Sequence, residues 1–204
     1  MEKMEMNQKG ITMIEMMVAV SILGILVVIA IPNFQIWVAN QQIRSDVAQL
    51  EGDLQVARMT AISRNAPVTV LFDAVTQNQY LIFIDDGQGG PGGVGGNNAR
   101  DLTLNGTEQV LFFVDNGQGA GGVAGDGIRN GTEPSRILTT GIIFDVTNVA
   151  WPVGNGILFN GKGLRGRPVA DPLPGPPNVG LLSNQGRRYQ VVVTLMGDVN
   201  ANRM

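Results

Sequence analysis

A carboxylate inside a segment fit for lipid is the most chemically pointed feature of this chain. Gly10 is followed by Ile11-Thr12-Met13-Ile14-Glu15, and an apolar run then reaches Ile31 before Pro32. A charged side chain deep in hydrocarbon costs roughly 2.5–3.5 kcal/mol on insertion scales. Glu15 is therefore expected to be neutralised against a partner. The competing reading is an acid in the first helical turn, complementing the helix dipole near the headgroups.

A second set of oxygen donors lies in the glycine-rich middle. Phe83-Ile84-Asp85-Asp86-Gly87-Gln88-Gly89 is echoed by Phe113-Val114-Asp115-Asn116-Gly117-Gln118-Gly119, and Gly106-Thr107-Glu108 by Gly131-Thr132-Glu133. Asp85, Asp86, Asp101 and Glu108 in one copy, and Asp115, Asn116, Asp126 and Glu133 in the other, are ligands of the kind calcium prefers. Glycine would let the backbone curl around the ion. Calcium is thus the one cofactor these residues point to. Neither copy has the alternating D-x-D-x-D-G order of an EF-hand loop. The alternative is a pair of hairpin extensions whose Asp, Asn and Gly serve turns.

Other chemistry is excluded by composition. The chain has no histidine and no cysteine, which removes the usual general base, the usual transition-metal ligand and every thiol site. A Ser-His-Asp or Cys-His hydrolase cannot be built, and no enzyme is expected. Lys and Arg number 14 against 17 Asp and Glu, a balance that opposes a broad nucleic-acid footprint.

The N-terminus resembles that of type IV pilins and type II secretion pseudopilins. The resemblance rests on Gly10, the carboxylate at Glu15, the uninterrupted apolar run and Pro32, all at the family's spacing. One departure is Ile11, where the family most often has Phe. The resemblance implies a leader, 1–10, removed after Gly10 by a prepilin peptidase, and a new N-terminal residue, Ile11, that is methylated. It also implies that Glu15 meets the free α-amine of a neighbouring subunit during assembly. The partners implied are other pilin or pseudopilin subunits, the peptidase and methyltransferase, an inner-membrane assembly platform and membrane lipid.

The elements that must position these groups follow from periodicity. Ile11–Ile31 as a helix spans about 31 Å, close to the hydrocarbon thickness. Lys3 and Lys9 precede the run and no basic residue follows until Arg44. The positive-inside rule then leaves the bulk of the chain outside the cytoplasm, and the resemblance implies a single-pass protein of a bacterial inner membrane with a periplasmic domain. The membrane helix is assigned to 11–32 and an amphipathic continuation to 33–65. There Ile36, Ile43, Val47, Leu50, Leu54, Ala57 and Ala61 form a helical stripe. Gln42, Asp46, Gln49 and Asp53 are read onto other faces. Arg64-Asn65-Ala66-Pro67 ends the helix, because the residue before proline is pushed out of the helical region.

Strands are expected at Val68–Phe72, Tyr80–Ile84, Val110–Val114, Gly141–Asp145, Ile157–Asn160 and Tyr189–Leu195, as β-branched or aromatic runs bounded by Gly, Asn or Pro. One long helix followed by antiparallel strands is an α+β fold. Residues 66–204 would be the β-rich globular domain, with glycine-rich repeat loops at 85–140. The passage Ala57-Arg58-Met59-Thr60-Ala61-Ile62-Ser63-Arg64-Asn65 into a Val-rich strand resembles FimT/GspH-type minor pilins, which narrows the family. Arg165, Arg167, Arg187 and Arg188 read as basic spots. Some FimT-type pilins bind DNA through an Arg-bearing tail, but Asp198 and Asn200 stand where basic residues would be needed, so DNA is not an expected partner.

Overall fold

The computed structural model describes residues 11–84, 109–114, 134–147, 152, 155–166 and 177–204. The chain divides into two compact units, Met1–Asn40 and Gln41–Met204. A single helix, α1 (Met13–Arg64), begins in the first and ends in the second, with Pro32 inside it. The expected continuation beyond the proline is therefore found.

In the first unit the apolar run is uncovered. Every residue from 11 to 37 is exposed, and the most apolar window of α1 has a mean hydropathy of 2.8 with none of it buried. Among the described residues this is the one helix long and apolar enough to cross a membrane. Its polar side chains bond back onto their own helix. Ser21 Oγ donates to the Met17 carbonyl at 2.8 Å and Asn33 Nδ2 to the Ile29 carbonyl at 3.4 Å.

In the second unit the helix lays a stripe on a β core. Ile43, Val47, Leu50, Leu54, Ala57 and Ala61 are all buried, so six of the seven stripe positions hold. Ile36 is 44% exposed and belongs to the first unit. The helix stops at Arg64, and Asn65 adopts a left-handed φ of 47°. That conformation suits asparagine at a helix C-terminus. The Ala66 amide then returns to the Ala61 carbonyl at 3.2 Å.

Two antiparallel sheets complete the unit. The first is ordered β3 (Gln109–Val110), β2 (Gln79–Ile84), β1 (Val68–Phe72), β6 (Gly156–Phe159), and β4 (Arg136–Ile137) also pairs with β2. The second is ordered β5 (Ile142–Phe144), β7 (Asn178–Ser183), β8 (Arg188–Val193), β9 (Val199–Arg203). β1 pairs along its whole length with β2, from Val68↔Ile84 to Phe72↔Tyr80. The helix stripe, Val70 and Ile82 of the first sheet, and Leu181 and Val191 of the second share one core. Phe72, Tyr80 and Phe144 meet there, with Phe72 and Phe144 edge-on at 5.1 Å.

The α+β expectation is met, with corrections in detail. Of the expected Val110–Val114 strand only Val110 lies in β3, which begins one residue earlier at Gln109. β3 and β4, both inside the span read as loop, divide one edge of β2 between them. β3 takes the Phe83–Ile84 end and β4 the Gln79–Tyr80 end. Ile82 in the gap gives its amide to Ser135 Oγ at 2.9 Å and its carbonyl accepts from the Leu111 amide at 2.9 Å. β7 is not among the expected strands, and Tyr189–Leu195 is not the last strand: β9 folds back along β8 from Val193 to Tyr189. Short polar strands such as Val199–Arg203 lack the alternation by which a strand is read from sequence.

Candidate functional site

The apolar helix begins with a cap. Thr12 precedes the first helical residue, and its Oγ1 accepts the Glu15 amide at 3.3 Å. This is half of the Ser/Thr-x-x-Glu capping box, which satisfies an otherwise orphaned donor of the first turn. Glu15 is thereby fixed at the third helical position, and Ile11 stands exposed just outside the helix. The sequence signal for this cap is the Thr12-x-x-Glu15 spacing, which the expectations above do not include. From Met16 to Ile43 no charged residue occurs, so Glu15 is the sole ionisable group of the exposed apolar face. Gly10 lies outside the described residues. So do all eight calcium candidates, Asp85, Asp86, Asp101, Glu108, Asp115, Asn116, Asp126 and Glu133. Among the described residues no group of three or more acids stands together as a metal site.

The bases of both glycine-rich excursions are nonetheless placed. Ile84 pairs with Gln109 across the first. The Val114 amide donates to the Pro134 carbonyl at 2.8 Å across the second. Both excursions leave and return beside β2.

Two helix acids hold that edge, and here the reading of the helix faces is corrected. Asp46 and Asp53 are buried, at 6% and 7% exposure. They lie three or four residues from Leu50 and Ala57, so they share the stripe's face rather than opposing it. Asp53 Oδ2 accepts the Tyr80 hydroxyl at 2.8 Å and Arg136 Nε at 2.9 Å, while Arg136 Nη2 reaches Oδ1 at 3.4 Å. The Arg136 guanidinium lies 4.4 Å from the centre of the Phe112 ring. Asp46 accepts the Thr139 amide at 2.8 Å and its hydroxyl at 2.9 Å. Burial, and then the neighbouring Asp53 carboxylate, push the Tyr80 phenol well above its ordinary range.

Arg58 is a third fixing point that the sequence reading left without a role. Its Nε donates to the Gly163 carbonyl at 3.0 Å, Nη2 to the Met196 carbonyl at 2.8 Å and Nη1 to Asp198 at 3.1 Å. One guanidinium thus ties the helix to two turns of the β unit. The basic spots are altered accordingly. Arg165 is buried, Arg188 faces Asp145 at 3.8 Å, and Arg167 lies outside the described residues. Asp198, read as a tail residue that opposes DNA, is the Arg58 partner.

A capped apolar helix bearing one carboxylate, and a unit in which helix packs on antiparallel sheet, together define the type IV pilin and pseudopilin class. Residues 6–31 match the prokaryotic N-terminal methylation motif. Residues 46–197 match the Type II transport protein GspH, and the chain belongs to that family. Curated relatives include the type IV major fimbrial protein FimA of Dichelobacter nodosus, 42% identical over 78 residues, which is 38% of this chain and 48% of that protein. A fimbrial protein of Pseudomonas aeruginosa is 44% identical over 55 residues, 27% of this chain and 35% of that one. The chain thus spans about half or less of the relatives it matches. Among solved structures, the type IV minor pilin FimU of Pseudomonas aeruginosa aligns with a TM-score of 0.43 at 14% identity, over 80% of this chain and 90% of that one. The minor pseudopilin EpsH from the Type 2 Secretion System of Vibrio cholerae aligns with a TM-score of 0.46 at 11% identity, over 79% and 97%.

Proposed function

We propose that this chain is a minor pilin or pseudopilin, a structural subunit of a type IV pilus or type II secretion pseudopilus rather than a catalyst. It is cut after Gly10, methylated on Ile11 and held in the inner membrane with its β unit in the periplasm until assembly. The observation that carries the reading is Glu15. It is fixed in the first turn of a helix that is otherwise uncharged and exposed over its apolar length. Pairing with the α-amine of a neighbour's Ile11 removes two uncompensated charges from lipid at once. A prepilin peptidase and an assembly platform are the partners this requires.

Intact-mass spectrometry of membranes and of sheared surface filaments tests the proposal, with wild type beside Glu15→Ala. A wild-type mass beginning at a methylated Ile11 is expected in membranes and in the assembled fraction. Glu15→Ala should be processed normally and be depleted from filaments. An uncut wild-type chain beginning at Met1, or full incorporation of Glu15→Ala, overturns it.

A second reading, a calcium- or ligand-binding module tethered to the membrane, is supported by the repeated acids and by the shared origin of both excursions at β2. Calorimetric titration of the full chain with calcium tests it. Absence of heat and an unchanged Tm would end that reading.

A further inference from the structure

We propose that Phe34 and Trp37 form an aromatic anchor that docks in the outer lipid headgroup layer and fixes the depth of α1. The inference rests on the membrane-anchor part of the proposed function and assigns a surface that the apolar run itself does not include. The two rings lie three residues apart on α1, on one face, with centroids 5.7 Å apart and planes inclined by 30°. Phe34 is 62% exposed and Trp37 57%. They are the only aromatic residues between Ile11 and Asn65, and they stand directly after the run that faces lipid.

Their level along the helix fits the boundary. At 1.5 Å per residue, Phe34 and Trp37 lie about 35 Å and 39 Å beyond Ile11. The hydrocarbon is about 30 Å thick, with headgroup layers to either side. Helical side chains lean toward the helix N-terminus, so both rings reach back toward the membrane.

The backbone marks the same level independently. Pro32 has no N–H to give the Val28 carbonyl, a loss that is tolerated where water or a side chain can reach. Asn33 Nδ2 bonds the next carbonyl, that of Ile29, at 3.4 Å. Gln35, Asn40, Gln41 and Gln42 then follow, and the first cation is Arg44. An indole has an apolar body and one N–H donor, which suits a layer that is apolar on one side and wet on the other. With no basic residue from Met16 to Ile43, the ligand is the interface itself rather than an anionic headgroup.

The test is tryptophan fluorescence of the full chain reconstituted in phosphatidylethanolamine–phosphatidylglycerol vesicles. The chain has two tryptophans. Trp151→Phe isolates Trp37, and subtracting the Trp37→Phe spectrum from wild type gives the same signal should Trp151→Phe fold poorly. The expected result is emission moved to shorter wavelength than in water. Bromines placed just below the headgroups should quench it more than bromines at the acyl-chain ends, and aqueous acrylamide should quench it weakly. Water-like emission with free acrylamide quenching, in a chain that resists carbonate extraction, overturns the aromatic anchor and leaves the membrane helix standing. Strongest quenching at the chain ends overturns it too, by placing Trp37 in the hydrocarbon. Quenching that depends on protein density in the vesicles assigns the face to a second copy and refutes the lipid assignment. Release of the chain by carbonate refutes the membrane anchor and this inference together.

Discussion

Replacing Asp53 by alanine tests whether the buried helix acids hold the β2 edge. The substitution removes the acceptor of the Tyr80 hydroxyl, in a residue only 2% exposed. A buried donor left without a partner costs about 1–3 kcal/mol. It also frees Arg136, whose side chain is 36% exposed; water replaces most of that pairing, so this loss adds about 1 kcal/mol. The sum is about 3 kcal/mol. For a unit of this size 1 kcal/mol moves Tm by roughly 2–4 °C, so a fall of about 6–12 °C is expected. Near-UV circular dichroism of the full chain in detergent micelles reads it directly, because Tyr80 packs against Phe72 and Phe144. Asp53→Leu combined with Tyr80→Phe should lose less than Asp53→Ala alone, since neither buried partner is then left wanting the other. A stability change for Asp53→Ala within about 0.5 kcal/mol, the range of an ordinary surface substitution, would refute the reasoning.

Three further outcomes follow from the same geometry. Burial and the Asp53 carboxylate raise the Tyr80 phenol above its usual range, so the unfolded state releases that proton first. The stability Tyr80 contributes is full below about pH 10 and falls by about 1.4 kcal/mol per pH unit above it; in Tyr189→Phe, phenolate absorbance should appear only as the chain unfolds. At Asp73 burial raises the carboxyl, but hydrogen bonds from Thr76, the Val75 amide and Gln79 outweigh it and lower the pKa. Its contribution is present above the ordinary aspartate range near 3.9 and is lost as pH falls through the depressed value, so Asp73→Ala should flatten the acid limb of a Tm-against-pH curve. Gly197 has a φ of 80°, and a Cβ there would strike the Gly163 carbonyl oxygen; Gly197→Ala should cost about 1–3 kcal/mol by denaturant titration.

The parts of the fold legible in sequence were those carried by period. The stripe Ile43 to Ala61 and the Val-rich β1 could be read because apolar residues recur at the spacing of their element. Asp46 and Asp53 defeat the same reasoning, because they are polar yet their spacing from Leu50 and Ala57 puts them on the buried face. β4 was invisible because two residues, one of them Arg136, carry no pattern. It exists because Asp53 and Asp46 grip Arg136 and Thr139 from the helix. The spacing of Thr12 and Glu15 is that of a capping box, and the Thr12 hydroxyl accepts the Glu15 amide.

The helix-end pattern Ala57-Arg58…Ala61-Ile62…Arg64-Asn65 has a physical cause that emerges only in three dimensions. Ala57 and Ala61 are fully buried, and small side chains let the helix approach the sheets. Arg58 ties down the turns at Gly163 and Met196, and Asn65 takes the left-handed residue that ends the helix. These contacts, with Asp46 and Asp53, fix the β unit at points outside both glycine-rich excursions. The residues that bound the spans 85–108 and 115–133 are held at β2: Ile84 pairs with Gln109, and the Val114 amide donates to the Pro134 carbonyl beside it.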